Sequence, residues 1–366
     1  MRILFLSNVN SIHTKRWIFS LAERGIEICL FSLEESTHSD YEISQNITII
    51  NGRFKNDSTK DGKISKITLL KYLPKLIKTI KVFKPNLIHA HYATSYGLLG
   101  SLCGFHPYII SVWGSDIYDF PNISPIHKTL LKFNFKKADY ILSTSHIMAK
   151  ETYKYTSKPI GITPFGVDTD LFKKTVTYKS DEFIVGNVKT LSPIYGIDIL
   201  IKAFAKVFAN NPDQKMRLVI VGDGPNKDDY INLTKELKIE KLVDFKGKIP
   251  NNELAEKCYN KFSVSVSLSL SESFGVVAVE AMACECPVIV SDADGFTEIV
   301  EDGKTGFIVP KRNIEATSNA IQRFIDNPSL RESMGKQGRE RVLELYDWQN
   351  NVTKMFDIYT NIIKQK

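Results

Sequence analysis

The chain carries two successive series of short, almost uninterrupted apolar runs, each separated from the next by residues with helical spacing. A run of four to six apolar residues without polar alternation fits a strand with both faces covered, as in a parallel sheet between layers of helices. The first series is Arg2–Ser7, Ile26–Phe31, Leu87–Ala90, Tyr108–Val112 and Tyr140–Ser143. Between its first two runs, Thr14–Arg24 puts Trp17, Ile18, Leu21 and Ala22 on one helical face and stops at Gly25, a good helix terminator. The pattern restarts after about residue 180, with strand runs Phe183–Val188, Leu218–Val221, Val243–Phe245, Phe262–Val266 and Val288–Val290 and helices Ile197–Phe208 and Val276–Ala283. The reading is an α/β protein of two doubly wound, Rossmann-like domains, and 366 residues suffice for two. The expected division is a first domain over 1–172, a polar linker over 173–182 and a second domain over 183–346. In such sheets ligands sit at the carboxyl ends of the strands, so two sheets facing a central cleft would hold substrate between those edges.

Composition narrows the function classes. The chain is 43% hydrophobic and 24% charged, which is globular rather than disordered. No apolar run approaches the ~20 residues of a membrane span, and the N-terminus lacks the pattern of a secretory signal. Five cysteines without a Cys-x-x-Cys pair (Cys284 and Cys286 are two apart) argue against a disulfide scaffold or a structural zinc and fit a reducing cytoplasm. The net charge of +7 lies wholly in residues 1–170; residues 171–366 are neutral. The first half therefore faces something anionic: nucleic acid, a membrane surface or a phosphorylated acceptor. Lys63–Lys84 contains seven lysines and no acid, with Leu69, Leu73, Leu76, Ile77, Ile80 and Phe83 at helical spacing. This predicts an amphipathic helix whose apolar face packs on the sheet and whose basic face meets anionic lipid.

The most informative segment is Ser269-Leu270-Ser271-Glu272-Ser273-Phe274-Gly275-Val276-Val277-Ala278-Val279-Glu280-Ala281-Met282-Ala283, which follows a strand run and opens a helix. Gly275 permits close approach of backbone to a ligand. The free N–H groups of Val276 and Val277 at the helix start suit a phosphate. Glu272 and Glu280 can accept hydrogen bonds from sugar hydroxyls; the plainer alternative is a helix cap and a surface residue. Glu280 sits between Val279 and Ala281 in an apolar helix, which disfavours a solvated face. Gly222-Asp223-Gly224-Pro225 is a lone Gly-x-Gly after a strand, equally a tight turn or the border of a ligand.

With these residues the chain resembles the retaining glycosyltransferases of family 4, which have the two-domain GT-B fold. Glu272-x7-Glu280 matches that family's signature. So do Pro287–Asp292, Glu301-Asp302-Gly303-x-x-Gly306–Pro310, Lys84–His91, Trp113-Gly114-Ser115-Asp116 and Phe165-Gly166-Val167-Asp168. Asp347-Trp348 with the last helix, 347–366, resembles the family's crossover that packs back on the first domain. The resemblance covers almost the whole chain. It implies that Glu272 holds donor-sugar hydroxyls and Glu280 the nucleotide ribose, with Phe274, Gly275, Val276 and Val277 lining the donor. In Gly186-Asn187-Val188-Lys189, Asn187 and, further on, Tyr195 stand where the family usually has Arg and Lys. The segment resembles a longer variant of the loop in which Lys189 takes the diphosphate, while the variant's second Lys is Ile194 here. Gly186, Asn187 and Gly222 would border the nucleotide, and Lys248 and Ile249 would read the base through backbone groups.

On the acceptor side the candidates are His13, Arg16, His91 and Asp116. His89 and His91 lie at one strand end, with one expected to pack inward and His91 the better site residue. Trp113 stands where many relatives have a catalytic His. Asp168-Thr169-Asp170 and Asp292-Ala293-Asp294 are Asp-x-Asp strings, the metal motif of the other glycosyltransferase fold, and are read as false leads. The expectation is a cytoplasmic, metal-independent retaining enzyme, peripheral to the inner membrane face, with no cofactor and no nucleic-acid partner. It would move a sugar from a nucleotide-sugar, a UDP-sugar by preference, to a glycan or lipid-linked glycan in polysaccharide biosynthesis. The alternatives are a nucleotide-sugar epimerase or hydrolase of the same fold and a non-catalytic donor-binding subunit.

Overall fold

A computed structural model describes residues 1–37, 45–54, 66–175 and 181–365. Its contacts divide the chain into two compact units, one formed by Met1–Pro164 with Asn350–Lys366 and the other by Phe165–Gln349. Of the stretch 173–182 read as a linker, 176–180 lie outside the described residues, as does the start of the lysine run at Lys63.

The first unit is built on a parallel sheet of seven strands among the described residues: β1 Arg2–Leu6, β2 Glu27–Glu34, β3 Ile47–Phe54, β4 Leu87–His91, β5 Tyr108–Val112, β6 Tyr140–Ser143 and β7 Ile160–Ile162. The order is β3-β2-β1-β4-β5-β6-β7, so the chain reverses direction across the sheet between β1 and β4. That is the topological switch point, where a doubly wound sheet opens a crevice at its carboxyl edge. Every residue of β4 and β5 is buried, as continuous apolar runs require. The lysine-rich segment is not one helix. A four-residue turn at Lys66–Leu69 and a 3₁₀ turn at Leu70–Tyr72 precede the helix Leu73–Phe83, because Pro74 fits only the first turn of a helix. Leu76 and Phe83 are buried, whereas Lys71, Lys75, Lys78 and Lys81 are exposed.

The second unit holds six parallel strands: β8 Phe183–Val188, β9 Met216–Val221, β10 Val243–Gly247, β11 Val264–Ser267, β12 Val288–Ser291 and β13 Gly306–Val309. They are ordered β10-β9-β8-β11-β12-β13, with the reversal between β8 and β11. The helix Val276–Ala283 has the predicted bounds, and all but its first two residues are buried. Phe204, Phe296 and Phe324 are fully buried in this unit. An isolated parallel bridge between Val167 and Asp347 closes it where its two chain ends meet.

Candidate functional site

In the second unit the candidate donor residues gather at the carboxyl ends of β8, β9, β10 and β11. Lys189 follows β8 directly. Its Nζ donates to Glu272 Oε2 at 2.7 Å and lies 4.7 Å from the centre of the Tyr195 ring. Both charged side chains are largely buried, 16% exposed for Lys189 and 13% for Glu272. Ser269 Oγ also donates to Glu272 Oε2, at 3.3 Å, and the Glu272 carbonyl accepts from Gly295 N at 2.9 Å, which fixes the backbone behind the carboxylate.

Gly275 caps the following helix at φ +97°, where a side chain is strained, and a Cβ there would stand 2.7 Å from the Phe296 ring. The helix receives no side-chain cap, and its first internal bonds run from Ala278 and Val279 N to the Gly275 carbonyl. The amides of Val276 and Val277 are thus the open donors at a helix start, where the helix dipole favours negative charge. Glu280, one turn further on, is buried. Its Oε1 accepts from Asn251 Nδ2 at 2.9 Å and its Oε2 from the Tyr259 hydroxyl at 2.8 Å. Burial, reinforced by this carboxylate, pushes the Tyr259 phenol well above its ordinary range, so it stays a donor. Tyr195, Asn251 and Tyr259 complete this constellation. No motif marks Asn251 or Tyr259; only the missing cation at position 195 drew attention to Tyr195.

The glycines find steric explanations. A Cβ on Gly186 would fall 2.0 Å from the Phe262 ring, and one on Gly222, at φ +135°, 2.0 Å from the Lys189 carbonyl. Gly222 N also donates to the Gly247 carbonyl, so this residue ties the ends of β8, β9 and β10 together. Asn187 is buried: its Nδ2 donates to the Val266 carbonyl at 2.7 Å, and its Oδ1 has no partner among the described residues. Lys248 is exposed and Ile249 half-buried just beyond β10. Phe274 is buried against Phe165 and Tyr346, edge-on at 6.1 and 5.5 Å. Asp168 Oδ1 accepts from the Asp170 and Leu171 amides and so serves a turn, whereas Asp292 Oδ1 accepts from the Lys311 amide and ties the chain after β12 to that after β13.

In the first unit the candidate acceptor residues surround the switch point. His89 and His91 are both buried, with ring centres 4.7 Å apart, which corrects the expectation that only one packs inward. Residues i and i+2 of a strand share a face, and here both faces are covered. His89 Nδ1 meets the Tyr359 hydroxyl at 2.6 Å and its Nε2 meets Ser111 Oγ at 2.7 Å; His91 Nδ1 meets Ser7 Oγ at 3.0 Å. Burial lowers His89 to about 3. His91 is also held well below its ordinary value by burial, then by its neighbours His89 and His13. Trp113 lies against the His91 ring at 4.3 Å, and His13, lowered to about 4 by burial and then by Arg16, meets Trp113 edge-on at 6.0 Å. At neutral pH this aromatic wall is uncharged. Arg16 is half-buried one helical turn after His13.

Asp116, expected to meet the acceptor, is fully buried. Its Oδ1 accepts from the Trp113 and Gly114 amides at 3.1 and 2.8 Å, and its Oδ2 from the Ala93 amide at 2.9 Å. Its carboxylate pins the loops after β4 and β5 and so holds Trp113 in place.

The whole chain shares the GT-B architecture, with two doubly wound α/β domains. The crystal structure of Anabaena HepE in complex with UDP and glucose matches 99% of this chain and 100% of its own, with a TM-score of 0.78 at 20% identity. Residues 2–145 match the family model described as Glycosyl transferase 4-like, and residues 168–341 that described as Glycosyl transferases group 1. The protein belongs to the group 1, family-4-type glycosyltransferases. It is 25% identical to the N-acetyl-alpha-D-glucosaminyl L-malate synthase of Bacillus anthracis over 76% of this chain and 75% of the relative. It is 30% identical to the D-inositol 3-phosphate glycosyltransferase of Corynebacterium aurimucosum over 58% of this chain and 53% of the relative. The capsular polysaccharide biosynthesis glycosyltransferase CapM of Staphylococcus aureus is 29% identical over 51% and 48%. The chain thus spans about half the length of two of these three relatives. Among the described residues no helix is long and apolar enough to cross a membrane.

Proposed function

We propose that this glycosyltransferase takes its sugar from a nucleotide-sugar, a UDP-sugar by preference, and transfers it with retention of configuration to a hydroxyl of a glycan or lipid-linked glycan. The observation that carries the reading is the grouping of Lys189, Glu272 and the open helix start at Gly275 on one sheet edge. Lys189 and the Val276 and Val277 amides supply positive potential for a departing diphosphate. Glu272 orients the sugar, and the buried, doubly held Glu280 accepts from the ribose. HepE was crystallised with UDP and glucose, which favours uridine. CapM, by its name, serves capsular polysaccharide, and the basic first unit suits a phosphate-bearing or membrane-borne acceptor.

In this reading the acceptor hydroxyl attacks on the face from which the diphosphate leaves. The leaving phosphate oxygen takes the proton, so no enzyme nucleophile is needed. The test is a thermal-shift screen of UDP-, GDP- and ADP-sugars, followed by NMR of the product made from the sugar that binds. A UDP-sugar that raises the melting temperature and yields a product of unchanged anomeric configuration is expected. An inverted product removes the retaining mechanism, and hydrolysis or epimerisation without an acceptor removes transfer.

A further inference from the structure

Lys189 and Glu272 satisfy each other across the site. Their 2.7 Å contact is largely shielded from water, and the Tyr195 ring covers the ammonium group from another side. Breaking such a pair by drawing off one partner leaves a poorly hydrated charge behind. On the reading above, the two groups serve different parts of the donor, Lys189 the diphosphate and Glu272 the sugar. An intact nucleotide-sugar replaces both halves of the pair at once. A bare nucleoside diphosphate, the product of transfer, takes Lys189 and gives Glu272 nothing in return.

We propose that the Lys189–Glu272 pair sets ligand selectivity, so that Glu272 weakens binding of the spent nucleoside diphosphate relative to the intact donor. The pair thereby favours release of the product nucleotide, because once the sugar has left Glu272 competes with the diphosphate for Lys189. Tyr195 is a positioning residue here: its ring face attracts the ammonium and keeps Lys189 within reach of both partners.

This inference rests on the donor reading, and the experiment separates the two. Binding of UDP is measured by titration calorimetry on the full chain, for wild type, Glu272→Gln, Lys189→Met and the double variant, with ligand-free melting curves to confirm folding. Glu272→Gln is expected to bind UDP at least tenfold more tightly than wild type, and Lys189→Met at least tenfold more weakly. In the Lys189→Met background the gain from Glu272→Gln should shrink to less than twofold. Glu272→Gln binding UDP no better than wild type overturns the proposal. So does a full gain that persists without Lys189, since that is plain repulsion between carboxylate and diphosphate. If Lys189→Met binds UDP as wild type does, or no variant binds UDP, GDP or ADP, the donor reading itself is wrong. For Tyr195, the Phe variant should match wild type in UDP affinity and the Leu variant should lose severalfold. Equal losses in both would assign the effect to the hydroxyl and remove the ring from this role.

Discussion

Asn251 and Tyr259 hold the Glu280 carboxylate on both oxygens, and on the proposed reading the ribose it accepts from is bound alike in ground and transition states. Glu280→Ala should therefore raise the donor KM about tenfold or more with kcat changed much less. Steady-state kinetics at varied donor concentration check this, and an unchanged KM removes Glu280 from the ribose. Gly275 makes a different demand. At φ +97° and 2.7 Å from the Phe296 ring, an added methyl has neither conformation nor space. Gly275→Ala should lose about 1–3 kcal/mol of stability, read as a lower urea midpoint, together with most transfer activity. The sequence marked this glycine by its place at a helix start and the two glutamates chiefly by the family resemblance that their spacing carries. It could not show that Gly186 and Gly222 are glycines because of Phe262 and the Lys189 carbonyl, since those neighbours are distant in the chain. Nor could it show that three backbone amides already occupy Asp116.

Among elements, β4 carries two acid-sensitive histidines, and His13, lowered to about 4, acts in the same direction. His89 and His91 are neutral in the folded state and hold lowered pKa values through burial. As pH falls below about 6.5 the unfolded chain takes up protons that the folded chain refuses, so stability present above that pH is lost on acidification. Between pH 7.5 and pH 5 His89 alone should cost on the order of 2 kcal/mol, and His91 adds to the loss in the same direction. Urea titrations at the two pH values check this, with a His89→Gln, His91→Gln double variant expected to flatten the dependence. The helix Leu73–Phe83 offers a second test. Lys71, Lys75, Lys78 and Lys81 are exposed on and just before it, and each lysine near an anionic surface contributes about 1 kcal/mol. If this face docks on anionic lipid, the wild type should co-sediment with phosphatidylserine vesicles, and changing all four lysines to Glu should abolish this yet spare transfer to a short soluble acceptor. The core strands and the helix Val276–Ala283 were legible because continuous apolar runs admit few alternatives. β3 was not, since Ile47–Phe54 mixes polar residues with apolar ones at a sheet edge, and three-residue β7 offers no periodicity to read.

At the scale of the whole molecule, the proposed chemistry assigns the diphosphate charge to Lys189 and backbone amides. Turnover should then persist in excess EDTA, and loss with rescue by Mg²⁺ or Mn²⁺ would return attention to the aspartate pairs. The first unit takes its last segment, Asn350–Lys366, after the entire second unit, and Tyr359 on that segment is the hydroxyl that meets His89 in the middle of β4. On the ribosome, β4 is made before the second unit, and its histidine waits without that partner until the whole of the second unit has been synthesised. Order of synthesis and order of completion are therefore reversed: the unit that emerges first is finished last. A nascent chain arrested before Asn350 should show the second unit protected from proteolysis while the first is still cut.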